Sequence, residues 1–419
     1  MSSAFDRIIG FDSIKNDLLG IIDIIKNPDI YRSLGAEIPH GVMLEGDSGM
    51  GKTLMAKAFI EECGIPSFVI RRSKSSDDFI AEMNNVFEEA SRHGRAVILL
   101  DDIDKMAPEE KNSQEYSVLQ ALIDSVHDKE VFIIATANYT NVLPDSLTRA
   151  GRFDRWIMVR SPSRSDGEKI VKYYISKKPI SEDVNLEDVC KMLSYRSCAS
   201  IDSVVNLAAI AAGRARSEKI KMNHLVNATL TEAYGLIDTC EGLSHEEREM
   251  VAYHEAGHAV ICDIIKKGSV GVVSICSNQR ADRGGFMLRC EELDRRPYDI
   301  LVSLGGKAAC EIKYGRVASG TKSDLSKACH NINISTKCMG AYGVANLGFG
   351  SESEFQDQRS EVIVTAELER HLFKANEILA ENREYLDKLA KALYEKETLL
   401  NSEIAAIRAT CTIKPAVVG

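Results

Sequence analysis

Residues 41–59, GVMLEGDSGMGKTLMAKAF, place a short apolar run, a glycine-rich loop and a helical stretch end to end. The loop is Gly46, Asp47, Ser48, Gly49, Met50 and Gly51, followed by Lys52 and Thr53. Glycines there let consecutive backbone N–H groups turn inward around phosphates, and the start of a helix adds positive potential. In that geometry Lys52 reaches the β- and γ-phosphates of ATP and Thr53 holds Mg²⁺. A plain glycine turn with a solvent-facing lysine would need neither the strand before it nor the helix after it.

Working outward, further apolar, β-branched runs occur at SFVI (67–70), AVILL (96–100), VFIIAT (131–136) and WIMV (156–159). Between them, stretches such as DDFIAEMNNVFEEASRH carry apolar residues at helical spacing. With GVML (41–44) this makes five strands alternating with helices, which predicts a doubly wound, mostly parallel sheet. AVILLDDID ends its strand on Asp101 and Asp102. After a phosphate loop, one such carboxylate holds Mg²⁺ through water and the other polarises the attacking water.

Strand patterns stop near residue 164. Residues 165–242 read as a small helical domain, and residues 243–419 as a third, mostly helical region with one β-like segment at 271–290. The run TAELERHLFKANEILAENREYLDKLAKALYEKE near its end predicts long amphipathic helices. Hydrophobic residues at 44% and charged residues at 27% fit a globular chain with real cores. A net charge of −10 argues against nucleic acid as a partner. No window approaches the roughly 20 apolar residues of a membrane span, because LLGIIDIIKN is broken by Asp23 and Lys26. Eleven cysteines scattered without a CxxC pair fit reduced thiols in a cytoplasm.

The third region opens with VAYHEAGHAV (251–260). Ser244 and Glu247 form a capping box and Lys266, Lys267 and Gly268 an exit, which predicts one helix over 245–267. On it His254 and His258, four apart, share a face as two ligands of Zn²⁺, with Glu255 beside them as general base. Gly257 inside a helix costs about 1 kcal/mol relative to Ala, which predicts a close approach to the backbone there. A third ligand is needed. Ile261 and Ile264 stand where a metzincin would have glycine and histidine. The local candidates are Glu311, Asp324 and His330, and spacing does not choose among them.

Longer runs carry a family resemblance. FDRIIGFDSIKNDLLGIIDIIKNPDIYRSLGAEIPHGVMLEGDSGMGKT and TANYTNVLPDSLTRAGRFDR resemble an AAA+ ATPase module. That resemblance implies a γ-phosphate sensor at Asn138 and arginine fingers at Arg149 and Arg152, which complete a neighbouring subunit's site. It therefore implies a ring. LSHEEREMVAYHEAGHAV, LVSLGGKAACEIKYG, SGTKSDLSKA and AYGVANLGFG resemble the peptidase domain of the FtsH family, the AAA+ zinc proteases. The resemblance points to Asp324 as the third ligand, a homohexamer, polypeptide substrates, and a β segment at 271–290 that pairs with extended substrate. The fold it implies is an AAA+ nucleotide-binding domain (1–164), a helical lid (165–242) and a zinc metallopeptidase domain (243–419).

The sequence departs from that family in several places. It begins at the ATPase, without membrane-spanning helices, which implies a cytoplasmic form. Ser323 stands where Asn is usual. The segment RRSKSSDDFIAEM lacks the aromatic pore-loop motif, leaving Phe79 and Ile80 as candidates for gripping substrate or as helix core. KMAPEEKNSQEY lacks the family's glycines, so loose polypeptides are the expected substrates. The rival expectations are an ATP-gated remodelling factor with a structural zinc site, and a peptidase whose ring is only organised by nucleotide. The acidic pair is Asp101–Asp102 where Asp–Glu is usual. The shorter side chain sets its carboxylate back by about 1.5 Å, a misplacement able to cost roughly 10²-fold. Asp102→Glu should therefore speed steady-state ATP hydrolysis substantially. An unchanged rate would show that side-chain length is not limiting.

Overall fold

The computed structural model describes residues 3–72, 75–107, 113–148, 151–234, 244–276, 284–293, 296–318, 320–337, 341 and 354–416. Contacts divide the chain into two compact units, Met1–Tyr174 with Tyr195–Ser203, and Ile175–Ser194 with Val204–Gly419.

The first unit is built on β1 (Gly41–Glu45), β2 (Ser67–Ile70), β3 (Arg95–Leu100), β4 (Glu130–Ala137) and β5 (Arg155–Met158). They form one parallel sheet in the order β2-β3-β4-β1-β5. β1, β3 and β4 are buried almost throughout, as their unbroken apolar runs require. The chain leaves β1 for the far edge and returns to lie beside it as β4, in register from Gly41 opposite Ile133 to Glu45 opposite Ala137. This reversal opens a crevice at the carboxyl ends of β1 and β4, where doubly wound sheets bind ligands. The helix Lys52–Cys63 follows the loop after β1, with Gly51 as its N-cap at φ +92°, a conformation glycine adopts without steric cost. The helix Ser76–Arg92 puts Phe79, Met83 and Phe87 into a core with Met43, Ile98 and Ile133. Phe79 is fully buried and Ile80 packs against the same core, so the helix-core reading holds for this pair.

The second unit holds a separate core around the helix His245–Ile265. The capping box is present: Ser244 Oγ accepts from the Glu247 N–H at 3.2 Å, and the Glu247 carboxylate accepts from the Ser244 N–H at 2.9 Å. The helix ends at Ile265 and not at 267, because Lys266 is already extended. It packs on the helix Arg296–Tyr314 at a glycine-on-glycine crossing. A Cβ on Gly257 would collide with the Gly305 carbonyl oxygen and lie 2.6 Å from the Ala309 Cβ, which is the close approach the sequence predicted. The segment 271–290 contains two strands, β6 (Val270–Ser274) and β7 (Phe286–Arg289), and residues 277–283 of it lie outside the described residues. A third strand, β8 (Thr398–Leu400), was not expected from sequence. It completes an antiparallel sheet in the order β7-β6-β8 by pairing Leu399 with Val273. The final elements are helices Glu354–Glu381, Arg383–Lys396 and Asn401–Ala409.

Gly257→Ala should gain about 1 kcal/mol in helix propensity and lose more by overpacking against a backbone carbonyl, a net destabilisation of about 1–3 kcal/mol. Denaturant unfolding of the variant measures it, and a stabilised variant would contradict the crossing.

Candidate active site

At the carboxyl end of β1, Lys52 is buried and its ammonium donates three bonds. They go to the Gly46 carbonyl at 2.6 Å, the Asp47 carbonyl at 2.7 Å and Asn138 Oδ1 at 2.7 Å. Burial lowers its proton affinity, while Asp102, Asp104 and Asp47 work in the opposite sense. Asn138, just beyond β4, is thus brought onto the loop Gly46–Gly51. Thr53 Oγ donates to Asp101 Oδ1 at 2.8 Å, joining the two groups expected to serve Mg²⁺. Sequence reasoning missed Thr136, which donates to the same oxygen at 2.9 Å and accepts from the Asp102 N–H at 2.8 Å. It opens the run TANYTNVLPDSLTRAGRFDR, which singled out Asn138 and not this hydroxyl.

Asp102 adopts φ +55°, uncommon for a residue with a side chain. Its carboxylate pairs with Lys105 at 3.0 Å and Arg71 at 3.4 Å. Arg152 makes a two-point pair with Asp124 of its own chain, at 2.8 and 2.7 Å, and also donates to the Ser146 carbonyl. Reaching a neighbour's phosphate would require that pair to break. Arg149 lies outside the described residues.

In the second unit His254, Glu255 and His258 are all buried. His254 Nε2 lies 3.1 Å from Asp324 Oδ2, His258 Nε2 lies 3.2 Å from the same oxygen, and the two Nε2 atoms are 3.2 Å apart. Ligands at about 2.0–2.1 Å from a tetrahedral Zn²⁺ stand about 3.3–3.4 Å from one another. The triangle therefore fits that ion. His258 Nδ1 donates to the Val302 carbonyl at 2.6 Å, fixing the tautomer that leaves Nε2 free. Burial opposes the charge on Asp324, but its bonds to His254 and His258 outweigh that and hold its carboxyl well below the usual range. Of the other candidates for third ligand, Glu311 pairs with Lys307 and His330 is exposed. Ser323 Oγ donates to the Gly320 carbonyl at 3.1 Å, within its own turn.

Burial raises the proton affinity of Glu255, partly offset by His258 and His254. A carboxylate so placed accepts a proton more readily than an exposed one. Two glycines unremarked in the sequence shape its surroundings. A Cβ on Gly306 would sit 2.6 Å from His254 Nδ1 and Nε2, and one on Gly285 would sit 2.5 Å from Glu255 Cγ. Gly306 stands in the quoted run LVSLGGKAACEIKYG, but what either glycine lies against depends on contacts between distant segments.

The comparisons agree with this geometry. Residues 42–161 match the ATPase family associated with various cellular activities (AAA), and residues 241–407 match peptidase family M41. The ATP-dependent zinc metalloprotease FtsH of Caldicellulosiruptor bescii is 31% identical over 95% of this chain and 71% of its own length. The chain belongs to the FtsH family. It carries the ATPase and peptidase domains of an ATP-dependent zinc metalloprotease, and its two sites fit ATP with Mg²⁺ and Zn²⁺. The FtsH of Ureaplasma parvum serovar 3 is 30% identical over 99% of this chain, which spans 62% of that relative. The FtsH of Helicobacter pylori strain J99 is 29% identical over 96% of this chain and 70% of its own length. Among the described residues, no helix is long and apolar enough to cross a membrane.

Gly306→Ala should push His254 out of line and weaken zinc binding by about 10- to 100-fold, the usual effect of disturbing a ligand's support, with ATP binding retained. Chelator competition measures this. Unchanged zinc affinity would contradict the packing described.

Proposed function

We propose that this FtsH-family chain cleaves unfolded or loosely folded polypeptides at a zinc centre held by His254, His258 and Asp324, in a process fuelled by ATP. The observation that carries this reading is the buried ligand triangle with Glu255 on the same helix. A purely structural metal site has no use for a buried carboxylate next to its ligands. When bound, Zn²⁺ supplies Lewis acidity, polarising the scissile carbonyl and acidifying water. Glu255 takes a proton from the attacking water and passes it to the departing amine. His258, tied to the Val302 carbonyl, and Asp324 keep their ligand atoms aimed inward. The edge strand β7, which follows Gly285 beside Glu255, presents backbone groups to which an extended polypeptide can add as a strand.

On the nucleotide side, Gly46, Asp47, Ser48, Gly49, Met50 and Gly51 cradle phosphates and Lys52 turns from the loop carbonyls to the β- and γ-phosphates. Thr53 and Asp101 hold Mg²⁺, Asn138 senses the γ-phosphate, and Asp102 orients water. Arg149 and Arg152 serve the adjacent subunit's site in a homohexamer. The division at 164 and 242 into nucleotide-binding, lid and peptidase domains is the functional one. The eleven cysteines, scattered without a CxxC pair, support a reducing, cytoplasmic setting. Burial of Phe79 in the helix core supports substrates that need little unfolding. The pairing of Asp102 with Lys105 and Arg71 favours a second reading, in which nucleotide organises the ring while hydrolysis contributes little.

Casein cleavage by the zinc-loaded protein should require hydrolysable ATP, and Glu255→Gln should abolish it with zinc retained. Cleavage sustained by a non-hydrolysable analogue would favour the second reading, and an active Glu255→Gln would overturn the first.

A further inference from the structure

The two oxygens of Asp324 have different surroundings. Oδ2 faces His254 Nε2 and His258 Nε2 at 3.1 and 3.2 Å, whereas Oδ1 accepts from Lys327 Nζ at 3.3 Å. Asp324 lies in the first turn of the helix Thr321–Lys337, and Lys327 lies three residues on, so both project from one face. The Asp324 side chain is 12% exposed and that of Lys327 is 66% exposed, so the lysine reaches in from solvent to the outer oxygen.

We propose that Lys327 is a positioning residue for the metal centre, which by occupying Oδ1 leaves Oδ2 as the single oxygen that Asp324 offers to zinc. The inference rests on the zinc reading above. A carboxylate can ligate through one oxygen or chelate through both. A catalytic zinc site has three protein ligands and keeps a position open for water and substrate, and chelation through both oxygens would crowd that position. An ion pair whose lysine is largely exposed contributes little to stability, so the fold does not depend on this one. Its consequence is the choice of oxygen. Zinc affinity alone does not test this, because removing Lys327 both frees the carboxylate to chelate and removes a positive charge near a divalent cation. The coordination number does test it.

Cobalt(II) in place of zinc reports that number through its visible d–d absorption, which is strong at four-coordinate and weaker at five-coordinate sites. In the full chain, Lys327→Met should weaken that absorption and slow peptide cleavage by about 10- to 100-fold, the range for lost support of a ligand. The thermal unfolding midpoint should not move. Lys327→Arg should restore both absorption and rate. A Lys327→Met protein with the wild-type spectrum, whatever its activity, overturns the proposal, as does a spectral change that arginine does not reverse. Wild-type protein that binds neither zinc nor cobalt would instead remove the zinc reading itself.

Discussion

Two imidazole nitrogens and a carboxylate oxygen lie within 3.2 Å of one another inside an apolar interior. Burying a carboxylate is costly unless it is paired and hydrogen-bonded, and two facing Nε2 atoms need a proton or a cation between them. Much of the peptidase unit can be understood as support for that triangle. The glycine crossing of helices His245–Ile265 and Arg296–Tyr314 lets the backbones approach closely enough for the Val302 carbonyl to reach His258 and for Gly306 to lie against His254. The helix Thr321–Lys337 delivers Asp324 from a third segment. A small sheet closes the site on the Glu255 side through Gly285.

The nucleotide unit solves a related problem with other means. Asp101 is buried, and its Oδ1 is shared by two hydroxyl donors, Thr53 and Thr136, one from the phosphate-loop helix and one from β4. The carboxylate is thereby fixed at the crevice between β1 and β4. Asp102, one residue on, sits in an uncommon backbone conformation and is paired with two cations. The first carboxylate is held by hydroxyl donors; the second is held by cations, which under the proposed function it would have to leave to act on water.

Much of this was legible in the sequence because it is locally encoded. Five apolar runs became five strands with ends shifted by a residue or so, since buried parallel strands need unbroken apolar side chains. The capping box at Ser244 and the i, i+4 histidines fixed the zinc helix and the face it presents. Gly257 signalled a close approach by its cost alone. What stayed hidden depends on contacts between distant segments. β8 is three residues long and exists because β6 offers it partners, so no periodicity announces it. Spacing did not choose Asp324 over Glu311 and His330; the family resemblance pointed to it, and the fold brings it beside both histidines. Thr136, Val302, Gly285 and Gly306 act through a hydroxyl, a carbonyl and the lack of a side chain, and the runs that contain them do not say what each one touches.

In the proposed function, zinc held by His254, His258 and Asp324 is the agent of peptide cleavage. The most direct test strips the purified protein of metal and titrates zinc back, following bound zinc and casein cleavage together in the presence of ATP. Cleavage should vanish on stripping and return in proportion to zinc bound at this site, reaching its maximum at one zinc per chain. Cleavage that survives complete removal of zinc, or that fails to return when the site is refilled, would contradict it.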